Sequence, residues 1–258
     1  MMKKAGCRSS LVSTIRKHLE TKGDAGKAAR LQKYLKSEMP CCGVCVPERR
    51  KITSKVFAET FMESAKTPNI TTAEWHNAIC AIWDNAKYRE ERNATIDLLR
   101  WEPCAAFLTE KALPLVEKLI VEGAWWDLVD DTVHALGTIL KSDPSGIKQK
   151  LILWSVDPNS WKRRAAILSQ LQFKEETDFD FMQSCIAPNL KNTDMFIRKS
   201  IGWALRDYAW HNPFAVQAYV DLNYSRLSPL SRREALKNLD SIQPGRVSTM
   251  PLQCIHRS

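Results

Sequence analysis

Eight consecutive residues, Ala124-Trp125-Trp126-Asp127-Leu128-Val129-Asp130-Asp131, compress two indoles and three carboxylates into one short stretch. On a helix, residues four apart lie one above the other, so Trp126 and Asp130 present a flat aromatic surface and a carboxylate together. An exposed tryptophan loses burial energy, and an unpaired aspartate in a cleft costs desolvation. Two uses are therefore open. In one, the indoles are core and the aspartates cap a helix; in the other, the shared face receives something flat and cationic. Helical geometry turns Asp131 about 100° away from Asp130. Asp127, at the start of the helix, is expected to cap it.

The elements that must position this stretch are helices. The chain has 258 residues and only 9 glycines, and it lacks the alternating β-branched runs of a sheet protein. Leu11, Ile15 and Leu19 recur at helical spacing in a basic N-terminal segment, which we read as a helix over residues 1–30. A second helix through Ala28 to Lys36 carries Tyr34, and prolines then punctuate a train of short helices. Thr71 with Glu74 and Ser231 with Glu234 fit the capping box, and Asn159 or Ser160 is placed to cap the helix at Trp161.

These helices repeat weakly. Arg50, Arg92, Asp130, Arg164, Lys199 and Arg233 open successive apolar runs at intervals of 42, 38, 34, 35 and 34 residues. Periods in this range, without tetratricopeptide or ankyrin signatures, indicate a HEAT-like array. The fold class expected is all-α, a HEAT-like repeat superhelix forming one domain over 1–258, with residues 241–258 a flexible tail. Five of the six equivalent positions are cations, suited to following a phosphate backbone. The alternative is that these arginines pair with neighbouring glutamates such as Glu48 and Glu90. Asp130 is the single carboxylate in the line. Trp203 follows Lys199 by four residues, as Asp130 follows Trp126; Trp75, Trp83, Trp101, Trp154, Trp161 and Trp210 are assigned to the core or to repeat interfaces.

The balance of 38 Lys+Arg against 29 Asp+Glu gives a net charge of +9, which favours a polyanionic partner without identifying it. Eight cysteines without a signal peptide or membrane-spanning run read as reduced thiols of an intracellular protein. Cys42 and Cys45 have ligand spacing, but the nearest further candidates, His76 and Cys80, lie a helix away, so no metal and no cofactor is expected.

Four ordered segments carry a family resemblance: Trp125-Trp126-Asp127-Leu128-Val129-Asp130, Ser160 to Leu168, Phe196 to Tyr208 and Leu230 to Lys237. From about Tyr34 to Lys237 the chain resembles the AlkD-type DNA alkylation repair glycosylases. The resemblance implies a superhelix holding duplex DNA in a basic concave cleft. It further implies hydrolysis of the N-glycosidic bond of cationic alkylpurines with the base still stacked. It places the catalytic aspartate at Asp130, two sugar-contacting tryptophans at Trp126 and Trp203, a backbone-contacting arginine at Arg164 and a cleft tyrosine at Tyr34. The Cys41–Cys45 turn and the tail after Asp240 depart from the family pattern.

The expected partner is thus double-stranded DNA containing alkylated bases, met by a monomer with no membrane association. The expected location is intracellular, in the cytoplasm or nucleoid of a bacterium or the nucleus of a eukaryote. Two rival readings are a HEAT-repeat protein that binds branched or distorted DNA without catalysis, and a protein-interaction scaffold.

Overall fold

A computed structural model describes residues 3–63, 68–237 and 239, the side chains of 3–9 excepted. The tail 241–258, expected to be flexible, lies outside the described residues. Thirteen α-helices and four short 3-10 turns make up the described chain, with one isolated bridge between Met62 and Pro68 and no β-strand. The chain is all-α. No described helix is long and apolar enough to cross a membrane.

The chain divides into two compact units, residues 1–144 and 145–258. The first contains α1 (Lys3–Lys22), α2 (Ala25–Leu35), α3 (Val46–Phe61), α4 (Thr72–Asp84), α5 (Arg89–Leu99), α6 (Leu113–Gly123) and α7 (Trp126–Ser142). Here α3 packs on α5 and α5 on α7, a row of alternate helices, while α4 and α6 pair with α5 and α7. Helix α1 ends at Lys22, short of residue 30, and the second helix, expected through Ala28 to Lys36, begins at Ala25. Leu11, Ile15 and Leu19 of α1 are buried as their spacing predicts, against α3, α4 and α5. Trp75 and Trp83 of α4 are buried almost completely, each contributing on the order of 3 kcal/mol of burial energy.

The second unit contains α8 (Pro144–Trp154), α9 (Ser160–Leu168), α10 (Phe179–Ile186), α11 (Met195–Ala209), α12 (Pro213–Leu222) and α13 (Pro229–Leu236). Again alternate helices form a row, α9 on α11 and α11 on α13. A repeated device starts α9 and α11. Asp157 and Asn192 each accept the backbone N–H two residues on, and Asn159 and Asp194 cap the helices. Arg163 and Arg198, 35 residues apart, each donate back to the carbonyl six residues earlier, Asp157 and Asn192.

The capping box at Thr71 and Glu74 forms as expected. The one at Ser231 and Glu234 does not. Helix α13 begins earlier, with Ser228 as its cap accepting from the Ser231 N–H, so the Ser231 hydroxyl is free to donate to the Arg198 carbonyl of α11. Trp210, assigned to the core or to a repeat interface, is 47% exposed at the end of α11.

Candidate nucleic-acid interface and active site

The turn into α7 sets the position of the tryptophan–aspartate stretch. Helix α6 ends at Gly123, which lies against Trp83 and Leu128 with no room to spare. Ala124 then takes a left-handed conformation, φ 37°, and donates its N–H to the Ile120 carbonyl. Trp125 is extended at the helix cap, so Trp126 is the first residue of α7. The apolar face of α7, including Val129, Val133, Leu136 and Leu140, is buried and fixes the rotation of the helix. Trp126, Asp130 and His134 follow at intervals of four along another face, all half-buried.

Tyr34 meets this face from α2. It sits in the last turn before Lys36 ends that helix in a left-handed conformation, and buried Leu35 anchors it. The Tyr34 and Trp126 rings are in edge contact, centroids 5.7 Å apart at 82°. Tyr34 remains 69% exposed, so this aromatic corner is open to a ligand.

The two flanking aspartates have other work. Asp127 does not cap α7; its carboxylate takes the Arg89 guanidinium at the start of α5, with Nε at 3.0 Å. Asp131 pairs with Arg100 at the end of α5 and with Arg50 of α3 at 3.2 Å, while Arg49 stands 3.8 Å away. Arg49 in turn forms a two-bond pair with Asp97, at 2.9 and 3.1 Å, and the Thr53 hydroxyl donates to the same carboxylate. Three arginines thus surround two aspartates, locking α3, α5 and α7 together. Sequence reasoning passed over Arg89 and Arg100, since nothing local marks a partner more than thirty residues away.

All six ladder positions fall in the first five residues of α3, α5, α7, α9, α11 and α13. Their side chains do not share one environment. Arg50 and Arg233 are exposed and Lys199 is half-buried. Arg92 occupies the fourth position of α5, where the others occupy the fifth, and this offset turns it onto Trp83, 4.0 Å from the ring centroid. Burial there lowers the Arg92 pKa. Arg164 is 1% exposed; it donates to the Phe196 carbonyl and lies 5.1 Å from the Trp203 ring centroid. At Arg92 and Arg164 the solvent-open rung expected from charge alone is absent, because each guanidinium is spent on packing.

Trp203 is half-buried on α11, its Nε1–H donating to Glu234 of α13 at 3.2 Å. Lys199, Trp203, Arg206 and Trp210 recur at spacings of four, three and four and so lie along one stripe of α11. Trp161, half-buried on α9, meets Phe196 with ring centroids 5.1 Å apart.

The Cys41–Cys45 turn is structural. The backbone N–H groups of Cys42, Gly43 and Val44 donate to the buried Glu90 carboxylate at 2.8–3.3 Å. Gly43 has φ 81°, and a Cβ there would sit 2.2 Å from the Asp24 carbonyl. Burial, with Glu90 adding to it, pushes the Cys41 thiol up to about 11 and the Cys42 thiol up to about 12, the reverse of what a metal-ligating thiolate needs. Among the described residues no three His, Cys, Asp or Glu groups converge to hold a metal.

With this geometry in place, comparison with known proteins is decisive at the family level. The pattern of the family described as DNA alkylation repair enzyme matches residues 15–239. The chain belongs to that family. Among solved structures it is similar to a predicted DNA alkylation repair enzyme from Enterococcus faecalis, with 27% sequence identity and a TM-score of 0.66. That match covers 84% of this chain and 97% of the other. No curated protein matches. Family membership makes the protein a DNA-binding enzyme of DNA repair.

Proposed function

We propose that the protein is a monofunctional DNA glycosylase that hydrolyses the N-glycosidic bond of cationic N3- and N7-alkylated purines in duplex DNA, leaving the base in the stack. The observation that carries this reading is the grouping of Tyr34, Trp126 and Asp130 at one open corner of the first unit. Alkylation at a ring nitrogen gives the purine a positive charge, so it departs as a neutral base and needs no general acid. The sugar left behind develops oxocarbenium character, and water adds at its anomeric carbon to give an abasic site.

A carboxylate suits that transition state. At about 4 Å and an effective dielectric near 20, one opposite charge is worth on the order of 4 kcal/mol, about a thousandfold in rate. The face of Trp126, braced by Tyr34, adds about 0.5 to 2 kcal/mol toward a cationic sugar. Asp130 also serves to orient the attacking water. In this reading Trp203 supplies a second indole to the sugar, and Arg50, Lys199 and Arg233 contact phosphates. Arg164 acts through Trp203, and Arg92 holds α5 in place.

The test is release of bases from duplex DNA carrying 7-methylguanine, 3-methyladenine, uracil or hypoxanthine. The two methylated purines should be released and the two neutral bases retained. Binding of branched duplex with no base released from any substrate would favour the non-catalytic reading; efficient uracil release would reject the carboxylate mechanism.

A further inference from the structure

Trp203 enters the function proposed above as an indole offered to the sugar, and its neighbours in the second unit decide where that indole can be. The Glu234 oxygen that accepts its Nε1–H at 3.2 Å also accepts from Arg206 Nη1 at 2.8 Å. Beneath the ring lies the buried guanidinium of Arg164. Glu234 reaches the indole because α13 lies hard against α11 at Gly202. A Cβ on Gly202 would sit 2.5 Å from Glu234 Cβ and 2.9 Å from the Ser231 carbonyl. The Ser231 hydroxyl, donating to the Arg198 carbonyl at 2.9 Å, pins the same two helices.

An indole has two side-chain torsions. A cation against one face and a carboxylate at the Nε1 edge restrain both, and they leave the opposite face as the surface that can meet a ligand. The contact to Glu234 is charge-assisted and largely shielded, with the carboxylate side chain 17% exposed. A helix strut would need only the packing at Gly202 and the Ser231 bond. The acceptor aimed at Nε1 goes beyond that need.

We propose that Glu234 is the positioning residue of Trp203: it sets the indole so that its free face meets the deoxyribose, and it governs base release without touching DNA. The last step rests on the glycosylase reading; the first does not.

The experiment uses the full-length chain with 15N-labelled tryptophan, in wild type, Glu234→Gln, Glu234→Ala, Trp203→Phe and the Glu234→Ala/Trp203→Phe pair. The Trp203 Nε1–H resonance is assigned by its loss in Trp203→Phe. In Glu234→Ala it should shift and exchange faster with solvent, and Glu234→Gln, which keeps an acceptor, should restore much of the wild-type behaviour. Single-turnover release of 7-methylguanine should fall about tenfold in Glu234→Ala, the scale of one hydrogen bond to a charged group. Glu234→Gln should recover most of that rate, and duplex affinity should change little.

In the Trp203→Phe background there is no Nε1–H to hold, so Glu234→Ala should slow release by less than about twofold more. An unmoved resonance in Glu234→Ala would overturn the proposal, as would a rate loss that persists undiminished in the Trp203→Phe background. Should the wild-type protein release no alkylated base, the glycosylase reading falls, and the resonance alone still decides whether Glu234 sets the indole.

Discussion

Asp131 is bound to Arg100, one residue along α7 from the carboxylate that shares a face with Trp126. This ion pair, together with Arg50 and Arg49, assigns Asp131 to the joint between α3, α5 and α7. Replacing it with asparagine removes the charge that Arg100 and Arg50 meet on α7 and leaves Asp97 as the carboxylate of Arg49 and Arg50. The Asp131 side chain is 19% exposed, between the surface and buried limits, so Asp131→Asn should cost about 1 to 2 kcal/mol. In a chain of this size that lowers the melting temperature by roughly 2 to 8 °C. Calorimetry checks this, and base release by the folded fraction should stay near wild type. Asp127→Asn, which breaks the pair with Arg89, should behave in the same way.

The cations divide by burial, and their variants should divide likewise. Lys199→Ala and Arg233→Ala should weaken binding to damaged and undamaged duplex alike, each reducing the slope of log affinity against log salt by about 0.9. Arg92→Ala should leave that slope unchanged and destabilise the fold, because its guanidinium covers Trp83. Titrations of undamaged duplex between low and moderate salt separate the two classes. Equal slopes for Lys199→Ala and wild type would remove Lys199 from the phosphate track.

The repeat was legible in the sequence because it is built from local chemistry. Arg163 and Arg198 are 35 residues apart and perform the same act, each closing the loop before its helix. Which rungs face outward was not legible, since a shift of one residue rotates a side chain by about 100°; Arg92, one place early on α5, is turned into the wall by that shift. Ser231 and Glu234 satisfy the local pattern of a capping box, yet both are engaged by α11. Local pattern proposes a partner, and tertiary packing can supply a better one. Trp126 with Asp130 was readable from spacing alone, whereas the partners of Asp127 and Asp131, held thirty or more residues away, were not.

His134 adds a pH dependence. It follows Asp130 by one turn, and burial holds its pKa below the ordinary 6.5; Arg100 and Arg50 act in the same direction, while Asp131 and Asp130 oppose them. A histidine with a lowered folded pKa is neutral in the native state while the unfolded chain takes up a proton near 6.5. Its contribution to stability is therefore complete above that value and is lost as pH falls below it. Unfolding free energies from urea titration at pH 7.5 and 5.5 should differ more for wild type than for His134→Gln. A wild-type difference no larger than that of the variant would show that His134 titrates as an ordinary exposed histidine.

Asp130 is the decisive position for the proposed chemistry. Its two acidic neighbours are held by arginines of α3 and α5, and it alone shares the Trp126 face that Tyr34 meets. Asp130→Asn keeps the size and one acceptor oxygen and removes the charge that opposes a developing oxocarbenium ion. If that charge is the main catalytic term, single-turnover release of 7-methylguanine should slow by two to three powers of ten, about 3 to 4 kcal/mol. Melting temperature and affinity for undamaged duplex should stay close to wild type. Asp131→Asn gives the opposite signature, a shifted melt with little change in rate, so measuring both quantities on both variants tells charge at the reacting sugar from charge in the helix joint. A near wild-type rate for Asp130→Asn would take Asp130 out of the mechanism, and with it the proposed electrostatic stabilisation of the sugar.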